Sequence, residues 1–172
     1  MIPRNITLYL ISFTIYIFLQ VALLNKLVIA NMAFCFFYVG FLIFLPINTS
    51  RIALLLSGFF IGMIIDIFGD TIGMHMIACT FLMFIQPFWQ QATLGDIGEI
   101  SGPINMKNIS IYRLAVYALP MLVIHHLIIF LIDSIGAGVD YEIFFRVILS
   151  TFFTFFVLIV IQLFAMKTNQ KL

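Results

Sequence analysis

Charge is what this chain has least of. Only 9% of its 172 residues are Asp, Glu, Lys or Arg, against 64% hydrophobic residues and a mean hydropathy of +1.22. Soluble domains carry about a quarter charged residues. A surface covered by water is therefore excluded, and lipid is the expected solvent. The formal net charge of +1 gives no reason to expect nucleic acid as a partner. Cysteine is scarce as well: Cys35 and Cys79 each sit inside an apolar run, which supports neither a disulfide nor a metal site. Absent too are a Walker-type phosphate loop, a Ser-x-x-Lys pair and a His-Glu-x-x-His pair. With no such machinery, catalytic readings are weak, nucleotide hydrolysis is not expected, and no motif calls for a cofactor.

What is present is a series of hydrophobic stretches, and the fold class they predict is an all-α integral membrane protein. Six transmembrane helices are expected at about 6–25, 28–46, 51–68, 71–89, 111–132 and 143–165, in one domain covering 1–172. The first stretch is longer than a signal-peptide core and is read as a retained span. Pro46 with Asn48, Thr49 and Ser50 breaks the chain after the second span. Thr71 is placed to cap the fourth helix. Pro87, Trp89, Gln90 and Gln91 are expected to end it, with Trp89 as an interfacial anchor. A polar loop over 90–110, with room for a short interfacial helix, precedes the fifth span, in which Pro120 predicts a kink.

Basic residues set the expected orientation. Six crossings put both termini on one side, together with Arg4, Arg51, Lys107, Arg113, Lys167 and Lys171, and leave Lys26 and Arg146 on the other. Positive charge collects on the cytoplasmic side, so both termini are expected in the cytoplasm.

The polar residues inside this apolar frame are few and clustered. Gly58 and Gly62, four apart, stack on one helix face and permit close backbone approach. Asp66 extends that face by a turn, near the outer end of its helix. Two readings follow: tight packing, with Asp66 capping or bonding a neighbouring helix, or a face that receives a partner's helix. Asp70, Gly73 and His75 complete the stretch. His125, His126 and Asp133 form a possible polar pocket on the fifth span. A neutral histidine bonded to a neighbouring group is the plainest reading; a metal site or proton relay would have to recruit His75 and Asp66. Asp66 and Asp133 would also be the only basis for an aspartyl-protease pair.

At these residues the chain resembles a known family. The run Gly62-Met63-Ile64-Ile65-Asp66, then Gly73-Met74-His75, then an apolar helix ending in Gln86-Pro87-Phe88, is similar to the rod shape-determining protein MreD family, in the form found in the Bacteroidetes-like branch. Gln20, Asn25, Pro46, His125 and His126 extend the likeness along the whole chain. Gln86 departs from the arginine that members often carry before Pro-Phe. The resemblance implies a non-enzymatic component of the bacterial inner membrane. It would bind the single-span protein MreC and work with MreB, RodA and a transpeptidase penicillin-binding protein in cell-wall elongation. Gly62, Asp66, Gly73 and His75 are the positions that match the motif. It also implies the six-helix fold of the substrate-binding subunits of energy-coupling-factor transporters. A vitamin-type transporter subunit is thus the alternative, with Asp66, His75 and His125 lining its pocket.

Overall fold

A computed structural model of the chain describes residues 4–71, 73–95, 104, 109–135, 138 and 140–168. It is mostly helical: α1 (Arg4–Ala22), α2 (Val39–Ile43), α3 (Arg51–Gly69), α4 (Met74–Leu94), α5 (Ile111–Asp133) and α6 (Glu142–Thr168). A hairpin of two short antiparallel strands, β1 (Val28–Ile29) and β2 (Ala33–Phe34), pairs Val28 with Phe34 and Ile29 with Ala33. Helices α3, α4, α5 and α6 pack in chain order, each against the next. Helix α1 stands at the margin and is largely exposed.

Among the described residues, four helical stretches are long and apolar enough to cross a bilayer: Thr7–Lys26, Arg51–Gly69, Ile111–Asp133 and Glu142–Phe164. The chain is compatible on this ground with a multi-pass membrane protein. Helix α4 is long enough, at 21 residues, but carries Gln86, Gln90 and Gln91. It does not end at about 89 as expected. It continues through the proline to Leu94, because Gln86, Gln90 and Leu94 share one buried face that packs inward. Trp89, expected as an interfacial anchor, donates its indole N–H to the Tyr117 carbonyl on α5 at 3.0 Å. Helix α5 runs through Pro120. The expected interfacial helix within 90–110 lies mostly outside the described residues.

The largest correction concerns the second stretch. Residues 28–46 do not form one helix; only the five residues of α2 are α-helical. The chain nevertheless runs beside much of α1 and antiparallel to it. Gln20 meets Cys35 and Tyr38, Tyr16 stacks on Phe37 at 4.4 Å between ring centroids, Phe13 meets Phe41 edge-on, and Tyr9 and Leu10 border Leu45 and Pro46. From Gln20 to Tyr9, α1 rises roughly 16 Å. The segment is aromatic and carries Gly40, where an added Cβ would overlap Leu158 of α6. Aromatic and β-branched residues favour extended backbone over helix. Tyr38 and, within α2, Val39, Leu42 and Ile43 are fully buried, so this broken segment with its one short helix forms the centre of the core.

Candidate functional site

Backbone away from water must find its hydrogen bonds within the protein. Polar side chains on four of the longer helices provide them for the central segment. Gln20 of α1 donates to the Cys35 carbonyl at 2.9 Å and accepts from the Tyr38 N–H at 3.2 Å. On α6, Ser150 accepts from the Phe34 N–H at 2.9 Å and Thr154 from the Phe36 N–H at 3.1 Å. Gln86 of α4 donates to the Leu42 carbonyl at 3.1 Å, and the Tyr117 hydroxyl of α5 donates to the Ile43 carbonyl, also at 3.1 Å. The Leu42 carbonyl also accepts from the Leu45 N–H at 3.3 Å, and the Ile43 carbonyl lies at the end of α2, where intrahelical donors run out.

The Gly58–His75 stretch forms the α3–α4 corner. A Cβ on Gly58 would sit 2.6 Å from the Cys79 carbonyl oxygen, and one on Gly62 would overlap Met76 Cα and crowd the His75 carbonyl. The small-residue face is filled by the chain's own α4, which leaves no opening there for a helix from a second protein. Asp66 reaches across the same corner. Its Oδ1 accepts from the Thr71 hydroxyl at 2.6 Å and the His75 N–H at 3.1 Å, and its Oδ2 from the Met76 N–H at 2.9 Å. Asp66 thus caps α4 from eight residues upstream of that helix, at the end where the helix dipole favours an acid. Thr71, expected to be the cap, orients the aspartate instead. Asp70 (φ 53°) and Gly73 (φ 76°) make the turn in left-handed backbone.

Behind this corner the histidines meet the central segment. The Tyr38 hydroxyl lies 2.6 Å from His75 Nδ1 and 3.0 Å from His125 Nε2. A hydroxyl has one proton, so both contacts are hydrogen bonds only if Tyr38 donates to one imidazole and accepts from the other. His125 Nδ1 is buried with no hydrogen-bond partner among the described residues. Were Tyr38 to donate to His125, that orphan would be an N–H, the costlier group to strand. The assignment is therefore Tyr38 O–H to His75 Nδ1, and His125 Nε2–H to the Tyr38 oxygen, leaving His125 Nδ1 as a bare lone pair. Cys79 Sγ lies 3.7 Å from the same Nε2. His126 bonds to different partners: its Nδ1 donates to the Leu122 carbonyl at 2.6 Å, and its Nε2 faces the Thr154 hydroxyl at 3.3 Å.

The expected pocket is thus reorganised. His75 and His125 come together through Tyr38, while His126 belongs to the α6 contact. Asp133 is exposed at the end of α5 and does not join them. It shares no environment with Asp66, which removes the geometry of a carboxylate pair. Among the described residues, no three His, Cys, Asp or Glu side chains converge on a metal position.

Tyr38, Gln20, Ser150, Thr154, Gln86 and Tyr117 were not legible as a set. The available signal was that Gln, Ser and Thr recur inside apolar runs with no sequence-local partner. No protein-family model, curated protein or solved structure matches the chain.

Proposed function

We propose that this protein is a non-enzymatic scaffold of the bacterial inner membrane, of the MreD type. It would hold MreC and couple it to MreB, RodA and a transpeptidase penicillin-binding protein during cell-wall elongation, with both termini in the cytoplasm. The reading rests on the motif resemblance, and one observation supports it. The residues that carry the resemblance do architectural work: Gly62 admits α4, Asp66 caps it, Gly73 makes the turn, and His75 is tied to Tyr38. A family marked by residues that build a corner is one whose shared property is shape, as a scaffold requires. The alternative, a vitamin-type transporter subunit, draws on the buried Tyr38–His75–His125 cluster.

The test is recovery of the tagged protein from its native membranes in mild detergent, with bound proteins identified by mass spectrometry. The scaffold reading expects a single-span periplasmic protein together with wall-synthesis enzymes. ATPase subunits without wall proteins would sink it in favour of the transporter.

A further inference from the structure

Phe36 occupies an unusual place. Its ring centroid lies 5.4 Å from that of His75, 5.9 Å from that of His125 and 5.2 Å from that of His126. One phenyl ring therefore fills the space that three imidazoles surround, with Phe34 and Phe130 beside it. Its neighbours Cys35, Phe37 and Tyr38 are at most 2% exposed, whereas Phe36 is only partly buried. The ring thus reaches the surface of the core at this point.

Two further observations bear on this ring. The backbone carrying it is not helical: the Phe36 N–H is held by the Thr154 hydroxyl and the Phe34 N–H by Ser150, while the Phe36 carbonyl accepts from the Val39 N–H at 3.2 Å. Displacing Phe36 breaks side-chain contacts and one backbone bond at the start of α2, and leaves every long helix intact. The other observation is His125. The residue is fully buried, its Nε2 is engaged with Tyr38, and its Nδ1 has no partner among the described residues. A buried acceptor without a donor, beside a ring on displaceable backbone, is an unmet demand for a hydrogen bond.

From this we infer that Phe36 is the gate of a small-ligand site formed by His75, His125 and His126, which accepts a neutral aromatic ring bearing one N–H or O–H donor. The ligand ring takes the place of the phenyl ring, and its donor meets His125 Nδ1. A neutral ligand fits because no acid among the described residues lines the space: Asp66 is spent on Thr71 and the α4 backbone, and Asp133 is exposed at the end of α5. This inference does not depend on the scaffold reading.

Pyrazole, neutral at neutral pH and carrying one N–H, is a suitable probe, with N-methylpyrazole as its donor-free match. The experiment is titration of the detergent-purified, full-length protein with each compound, read by the nitrogen NMR shift of His125 Nδ1. Saturable binding of pyrazole to the wild type is expected, tightened at least about tenfold in Phe36→Ala, with N-methylpyrazole much weaker. Phe36→Leu, which keeps an apolar side chain, should fall between them and guards against a folding defect in the alanine variant. The inference is overturned if no variant binds pyrazole saturably, or if Phe36→Ala binds both compounds equally. The second result would mean an apolar cavity and nothing more.

Discussion

Asp66 is the residue on which the α3–α4 corner turns. Three donors converge on its two oxygens, and two of them are backbone N–H groups in the first turn of α4. Asp66→Asn keeps one acceptor oxygen and should lower stability by about 1.5–3 kcal/mol, while Asp66→Ala should cost more by leaving both N–H groups unmet. Equilibrium unfolding of the two variants in detergent checks the order, and equal losses would count against the capping role. Tyr38→Phe removes only a hydroxyl but strands His75 Nδ1 and His125 Nε2 together. A loss of about 1–3 kcal/mol is expected, with the nitrogen NMR signals of both histidines shifting at once. A shift confined to one ring would contradict the shared bond.

At the scale of elements, the α3–α4 contact has no slack. Gly62→Ala places a Cβ against the Met76 backbone, which no side-chain rotation relieves. It should cost about 1–3 kcal/mol, and Gly62→Leu more. Both should reduce the folded protein in the membrane, so weakened partner capture in these variants would follow from lost protein. Normal thermal stability of Gly62→Leu would refute the packing. The central segment makes a different prediction. Ser150→Ala with Thr154→Val removes the acceptors of the Phe34 and Phe36 amides. Each neutral hydrogen bond is worth about 1 kcal/mol, so local opening should rise by about tenfold or more. The readout is internal to the molecule: Cys35 lies on the segment and Cys79 on α4, and both are buried and free. Thiol labelling should accelerate at Cys35 and not at Cys79; acceleration at both would indicate global unfolding.

At the scale of the whole molecule, the central segment returns the chain to the end of the bundle where α1 begins. It does so without a helix of spanning length. The proposed orientation counts this segment as a pass, which makes the number even and gathers most basic residues on one side. Cysteines introduced in a cysteine-free background should accordingly report one side for positions 2 and 170, and the opposite side for position 30. Labelling of all three from one side would overturn the proposed orientation. Non-helical backbone at this depth is tolerated only where protein surrounds it. Helices α1 and α3 to α6 form that surround, and their polar residues replace the water the segment lacks.

The sequence by itself determined the solvent, because a chain with so few charged residues has no means of covering itself in water. It also determined the places where α1, α3, α5 and α6 run, since long apolar stretches bounded by Gly, Pro and polar residues have few alternatives in lipid. The close approach at Gly58 and Gly62 was legible from their spacing, because two glycines a turn apart leave a groove whatever fills it. What fills it was decided by tertiary structure, as were the capping of α4 by Asp66 and the pairing of His75 with His125 through Tyr38. Those are contacts between residues far apart in the chain, and spacing along one helix carries no information about them. The conformation of residues 28–46 was decided there too. Their hydropathy reads as a spanning helix, but hydropathy measures transfer into an apolar phase and is silent on where backbone hydrogen bonds go. Gln20, Gln86, Tyr117, Ser150 and Thr154, brought in on other helices, made an extended path through the core affordable.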